Sequence, residues 1–374
     1  MNKKIKIRLT VKTPLLISSG DKLLGIEYFT KDNYLYLTPV ERIIDLLLKF
    51  DNDKIREQEK ILEIIEKSMK QEGRNYDAKQ FIKKVILQIS DKKNKEAATK
   101  EKAENKITEK AIIKSFKLSE QPSRSGVELD FPIMSNNEPY IPGSSLKGAI
   151  KTAFYYYLLK KNRGVSEELI DELRRIVEYN LKDKTPNLDK VIYNENGFNS
   201  PIAEFIVRDL KFKNFQMVIL DNQREGMQNK RGSKLDIGLY IAPGSIAEGE
   251  IILKKEFLEK SGITENEFIT AIKESYSDFK KMINQRFGDI EFNGGDLQLG
   301  KHGDYFTKSI GTFLIEKAKD FKDNKDLIRL RKTLKFGKSP RGGCGNKFPK
   351  TISYVMYKNK KVQPGWVKIE MEEE

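Results

Sequence analysis

The sequence predicts an α+β protein, and three stretches carry that expectation. Ile5, Ile7, Leu9 and Val11 alternate with Lys4, Lys6, Arg8, Thr10 and Lys12, the period of a strand with one buried and one basic face. Residues 39–90 instead repeat apolar side chains at helical spacing. Residues 140–152, YIPGSSLKGAIKT, lead an extended arm through a bend into a helix.

After the first strand, Pro14 and the Ser18-Ser19-Gly20 run break the alternation. Extended segments at 25–29 and 34–37 flank Lys31-Asp32-Asn33, which predicts a hairpin. Thr38-Pro39-Val40-Glu41 reads as a helix start, with Pro39 at the first helical position and Glu41 closing a capping box. Helical patterning follows over 39–50, 54–71 and 76–90. Residues 91–110 are charged and nearly devoid of large apolar side chains, fitting either a solvated helix or a mobile linker. The chain is therefore divided into N-terminal strands (1–40), a helical insertion with a charged linker (41–115) and the remainder of the sheet domain (116–374).

Beyond residue 148, a helix over 149–161 carries Phe154, Tyr155, Tyr156, Tyr157, Leu158 and Leu159. Aromatic side chains could stack on bases, but this cluster lies mid-helix beside leucines, so the expectation is core. A helix over 166–181 and a strand over 206–210, containing Asp209, come next. Apolar strands at 215–220 and 235–242 flank Arg224, Lys230, Arg231 and Lys234, a basic hairpin tip that suits an RNA backbone or a solvated loop equally. Thr264 and Glu267 form a capping box for a helix over 265–287.

Lysine and arginine total 70 against 55 acidic residues, a formal charge of +15 that favours a polyanionic partner. The single cysteine, Cys344, excludes an internal disulfide framework and suits a reducing compartment. One histidine excludes a multi-histidine metal site and a two-histidine ribonuclease centre. The N-terminus has no apolar signal region and no run reaches membrane-spanning length, so the expected location is the cytoplasm, without a membrane. Gly143 and Gly148 have the spacing of a nucleotide P-loop, yet Ala149 stands where that loop needs its lysine. No metal and no cofactor is expected.

The candidate binding residues cluster in glycine-containing stretches. Pro142 favours extended geometry at Ile141, Gly143 permits a bend, and Ser144 or Ser145 can cap the helix. The first helical turn offers unpaired N–H groups to a phosphate, and Lys147 and Lys151 share one helix face. Two basic glycine loops follow, one with Gly300, Lys301, His302 and Lys308, the other with Lys338 and Arg341. His302 could act as a general acid or base in 2′-OH-driven RNA cleavage, or serve as an RNA contact or a solvated residue.

YIPGSSLKGAIKT resembles the signature of the RAMP superfamily, the RNA-binding subunits of CRISPR effector complexes. The segment IRLTVKTPLLISSGDKLLGIEYF resembles the first strand and glycine loop of the member that caps the guide-RNA 3′ end in type III-A (Csm) complexes. LQLGKHGDYFTKSIG resembles that member's late glycine loop, with Asp304 where a second glycine is often found, and QPGWVKIE resembles its terminal strand. The resemblance implies a ferredoxin-like (RRM-like) core with a helical insertion. It also implies a structural rather than catalytic role in guide maturation and antiviral defence. The implied partners are crRNA, target RNA, the repeated backbone subunit, small helical subunits and possible host nucleases. Implied RNA contacts are Ser19, Gly20, Gly143, Ser144, Ser145, Lys147, Lys151, Gly300, Lys301, His302, Lys308, Lys338 and Arg341. Repeated backbone subunits carry a target-cleaving Asp near the place held here by Glu27. An endoribonuclease using Glu27 or His302 is the alternative.

Overall fold

The computed structural model describes residues 2–50, 55–72, 76–91, 97–120, 126–178, 205–226, 234–288, 290–303, 305–308, 311–316 and 351–373. The N-terminal alternation becomes β1 (Lys3–Val11), with Ile5, Ile7, Leu9 and Val11 all buried and Lys4, Lys6 and Arg8 exposed. β1 runs through the middle of a large sheet whose order is β14 (Leu297–Gln298), β17 (Trp366–Glu373), β1, β13 (Ile246–Leu253), β10 (Leu210–Asn214), β8 (Glu138–Ile141) and β7 (Met134–Ser135). A short β9 (Phe205–Val207) also pairs with β13. Each pairing in this sheet is antiparallel.

One face of the sheet is roofed by helices. α5 (Gly143–Lys161) contributes Leu146, Ile150, Ala153 and Phe154, and α8 (Glu265–Phe287) contributes Phe268, Ala271, Ile272, Tyr276 and Phe279, all buried. In chain order the unit is β1–α5–β10–β13–α8–β17, with its four strands in the spatial order β17-β1-β13-β10. The aromatic run of α5 is core as expected: Phe154 meets Phe257 and Phe268, and Tyr156 meets Phe279 edge-on at 4.9 Å. Thr264 caps α8 with Glu267 in the expected reciprocal pair. The other face of the sheet is charged, with Arg8 directly opposite both Glu248 and Glu370, and Lys6 opposite Glu250 and Glu372.

A second sheet has the order β16 (Lys360–Val362), β15 (Thr351–Tyr357), β11 (Met217–Gly226), β12 (Lys234–Ile241), β6 (Leu129–Pro132) and β2 (Ser18–Leu23). A small third sheet joins β3 (Tyr28–Lys31), β4 (Tyr34–Leu37) and β5 (Lys114–Lys117). Between β4 and β5 the chain makes α1 (Val40–Phe50), α2 (Ile55–Glu72), α3 (Ala78–Asp91) and α4 (Ala97–Ala111), which bury their own cluster around Ile43, Leu47, Ile61, Ile82, Val85 and Ile107. Of the stretch left open between helix and linker, residues 97–110 are therefore helical.

Several local expectations are corrected. Residues 25–27 form a 3-10 turn rather than strand, and the hairpin's first strand begins at Tyr28. The Thr38–Glu41 capping box is not made, because Thr38 Oγ1 is buried without a hydrogen-bond partner. α5 starts at Gly143, so Ser144 and Ser145 lie inside its first turn; Pro142 is the N-cap and has no side chain with which to cap. The strand over 206–210 is broken into β9 and β10 at Arg208-Asp209. The helix placed over 166–181 is α6 (Arg163–Glu178). α7 (Lys255–Ser261), a short helix that buries Phe257, was not foreseen. Lys230, Arg231, Lys338 and Arg341 lie outside the described residues.

Candidate nucleic-acid interface

Three segments far apart in sequence are stitched together by main-chain hydrogen bonds. Lys301 N–H donates to Leu16 O, Leu299 N–H to Gly365 O and Gly365 N–H to Pro14 O, each at 2.8 Å. Two glycines are required at these crossings. A Cβ on Gly300 (φ +91°) would stand 2.3 Å from Leu16 O, and one on Gly365 (φ +90°) 2.0 Å from Leu299 O. Beneath them Thr307 Oγ1 donates to Gln298 Oε1 (2.5 Å) and Gln298 Nε2 to Pro364 O (2.9 Å), so the loop is braced by buried side chains.

This stitched wall and α5 enclose a groove of about 770 Å³. Its lining includes Ser18, Ser19 and Gly20 from β2, Ser144, Ser145, Gly148 and Thr152 from α5, and Gly300, Lys301, Thr307 and Lys308 from the loop and the short helix α9 (Tyr305–Lys308). Of the thirteen residues expected to contact RNA, Ser19, Gly20, Ser144, Ser145, Gly300, Lys301 and Lys308 thus meet in one place. On β2 the ladder with β6 is interrupted between Ser18 and Lys22, which lets Ser19–Asp21 bulge outward. The α5 wall consists of residues 144, 145, 148, 149 and 152, a face of small side chains. A Cβ at Gly148 would meet nothing within 4 Å, so the helix backbone itself faces the open space.

The remaining candidates lie elsewhere. Gly143 is buried because a Cβ there would stand 2.1 Å from Val207 O. Its N–H donates to Asp209 Oδ1 at 2.7 Å, so a carboxylate from the β9–β10 break caps the helix that neither serine caps. Lys147 Nζ donates to Phe205 O (2.6 Å) and sits over the Phe205 ring, while Lys151 lies over Tyr155. Neither lysine is part of the groove's lining. Glu27 accepts the Leu24 N–H at 2.8 Å, and burial raises its carboxyl above the usual range.

His302 is in the groove's loop but not in its lining. It is 8% exposed, with Nδ1 3.0 Å from Asn222 Nδ2 and Nε2 3.0 Å from Tyr240 Oη. Burial brings its imidazole down to about 4, so it is neutral near pH 7. Both ring nitrogens are thus engaged by buried partners, and the ring braces the loop against β11 and β12.

Lys301 reaches a carboxylate pair that sequence reasoning missed: its Nζ contacts Asp130 Oδ2 and, at 2.9 Å, Asp236 Oδ2. Burial opposes charge on all three groups. It raises the Asp130 carboxyl, whereas hydrogen bonds from Asp130, Lys301 and Asn222 outweigh it at Asp236 and hold that group at about 2. For Lys301, burial alone would lower the ammonium's pKa, but the two carboxylates outweigh it and raise it. Lys308 Nζ donates to Lys301 O at 3.2 Å, beside the groove. Among the described residues, no group of three His, Cys, Asp or Glu side chains could hold a metal ion, and no helix is long and apolar enough to cross a membrane.

The RAMP superfamily model matches residues 8–365, which span the mixed fold, the groove and the IPGSSLKG helix. The chain belongs to the RAMP superfamily. Within it, the relatives it is similar to are Csm5 proteins. It is 26% identical over 186 residues to the CRISPR system Cms protein Csm5 of Methanocaldococcus jannaschii, a match covering 50% of this chain and 38% of that protein. One chain of a cryo-EM structure of a Csm–crRNA–target RNA ternary complex from a type III-A CRISPR–Cas system superposes with a TM-score of 0.67 at 19% identity, covering 99% of this chain and 100% of that one. The crystal structure of T. onnurineus Csm5 superposes with a TM-score of 0.56 at 22% identity, covering 83% and 94% respectively.

Proposed function

We propose that this chain is the Csm5-like subunit of a type III-A complex, and that it binds the guide-RNA backbone near its 3′ end in the groove between β2, α5 and the 297–308 loop. The observation that carries the reading is the convergence of Ser19, Gly20, Ser144, Ser145, Gly300, Lys301 and Lys308 on that groove. Small side chains and bared backbone suit close approach by a sugar-phosphate chain. The strand order β17-β1-β13-β10, with α5 and α8 on one face, supports the ferredoxin-like core the resemblance implies. In this reading the chain caps a filament of repeated backbone subunits in the cytoplasm, beside the small helical subunits and target RNA. It assists guide maturation by recruiting nucleases rather than by cutting.

Binding of a single-stranded RNA oligonucleotide to the full chain tests the groove. Ser145→Glu puts a carboxylate in the first turn of α5, where it favours the helix yet repels phosphate, and weakens binding about tenfold or more whatever the RNA sequence. Lys308→Ala flattens the salt dependence by about 0.7 in the log–log slope. Asp236→Asn removes one of the two carboxylates that hold Lys301 and tightens binding. Affinities unchanged in all three variants would overturn the groove assignment.

A further inference from the structure

In a ferredoxin-like RNA-binding protein, the open face of the main sheet is the first place to look for base stacking. Here it is unsuited. The open side of β17, β1 and β13 carries Lys368, Glu370 and Glu372, then Lys4, Lys6, Arg8 and Thr10, then Ile246, Glu248, Glu250 and Ile252, with no aromatic ring among them. Its rows of opposite charge pair with each other, as Arg8 does with Glu248 at 3.5 Å.

The small sheet is built differently. Register places Phe29, Tyr36 and Ser115 in one cross-strand row and Lys31, Tyr34 and Lys117 in the next, all on one face. The first row is anchored: Phe29 is 5% exposed against the helical cluster, and Tyr36 stacks on it with centroids 4.9 Å apart and planes 13° from parallel. Tyr34 continues the series outward, 6.2 Å from Tyr36. It is 37% exposed, and both lysines of its row are exposed too. The Asp32-Asn33 turn, with both residues at positive φ, holds Tyr34 directly at the hairpin end. Large apolar side chains exposed on a surface need a reason only when grouped. This one ends a braced aromatic series and is flanked on both sides by cations.

We propose that the Tyr34 end of the small sheet is a second RNA contact, a platform on which one unstacked base of single-stranded RNA lies, with Lys31 and Lys117 holding the neighbouring phosphates. The ring supplies a sequence-tolerant π face and the lysines supply charge complementarity to the strand. This rests on the chain being an RNA-binding subunit but uses none of the groove residues.

The test is titration of the full chain with a single-stranded RNA carrying 5-iodouridine, followed by irradiation and peptide mapping. Tyr34→Ala weakens binding about tenfold and leaves the salt slope unchanged, because a stacking contact releases no counterion. Tyr34→Phe keeps wild-type affinity. Lys31→Ala and Lys117→Ala each flatten the slope by about 0.7. Crosslinks fall on the peptide containing Tyr34. Wild-type affinity in Tyr34→Ala with crosslinks confined elsewhere overturns the platform. So does a Tyr34→Ala variant that binds RNA normally but loses association with a second protein subunit, which would make this face a protein contact. If Ser145→Glu and Lys308→Ala weaken RNA binding while Tyr34→Ala does not, only the platform falls. If none of them matters, the RNA-binding reading falls with it.

Discussion

Lys301 and His302 are adjacent in one turn and differ in what surrounds them. The lysine side chain is 38% exposed and engaged by two carboxylates, whereas the histidine is buried between Asn222 and Tyr240. That burial makes the histidine a pH-dependent support. Between its ordinary value of 6.5 and its folded value of about 4, the unfolded chain takes up a proton that the folded chain refuses. Stability therefore rises with pH across this window, and the contribution of neutral His302 is lost as pH falls through 4. The loss amounts to about 3 kcal/mol. Urea midpoints at pH 7 and pH 4.5 should diverge more for the wild type than for His302→Gln; equal losses would show that His302 is not responsible. From the sequence this residue could be an RNA contact, a solvated side chain or a general acid or base, because a histidine among glycines and lysines reads as an exposed loop. Its burial is set by β11 and β12, which supply Asn222 and Tyr240 from about 60 to 80 residues earlier, and no local pattern carries that information.

Among the secondary-structure elements, α5 shows where legibility stops. The IPGSSLKG stretch correctly announced a helix next to the groove, and Ser144 and Ser145 line it. What could not be read was the helix's rotation and its first residue, because both follow from Asp209 and Val207 holding Gly143. With Gly143 fixed as the first residue, Lys147 turns to Phe205 O and Lys151 lies over the Tyr155 ring, and neither lines the groove. The helix's two glycines differ accordingly in what they tolerate. Gly143→Ala drives a Cβ into Val207 O at 2.1 Å and should cost roughly 1–3 kcal/mol. Gly148→Ala meets nothing within 4 Å and should stabilise by about 1 kcal/mol through helix propensity. Chemical-denaturation midpoints moving in the same direction for both would contradict this account.

For the whole molecule, the four helices α1–α4 and the large sheet have separate cores. Ile82 and Val85 belong to the cluster of α1–α4, while Ile7, Phe154 and Phe279 belong to that of the sheet. Ile82→Ala should cost roughly 2–5 kcal/mol. Hydrogen exchange should show the loss confined to α1–α4, with β1, β13 and β17 still protected and RNA affinity intact. Loss of protection throughout would mean the two cores fold as one. The helices α1–α3 were legible because apolar side chains keep a helical spacing over 39–50, 54–71 and 76–90. The grouping of strands into three sheets was not, since β12 pairs with β6 and β15 with β11 across more than a hundred residues each.

The stitching of residues 14–16 to 299–301 and 365 has a consequence for how the protein comes into being. On the ribosome β1 emerges early, but its neighbour β17 follows some 360 positions later, and translation at 5–20 residues per second makes that interval roughly 20 to 70 s. Throughout it one edge of β1 lacks its partner and the wall beside α5 lacks Gly365 and the loop it anchors. A half-made chain therefore has no groove to offer. Only a molecule synthesised past Gly365 presents the finished wall, so the groove is a property of the full-length chain and of no shorter translation intermediate.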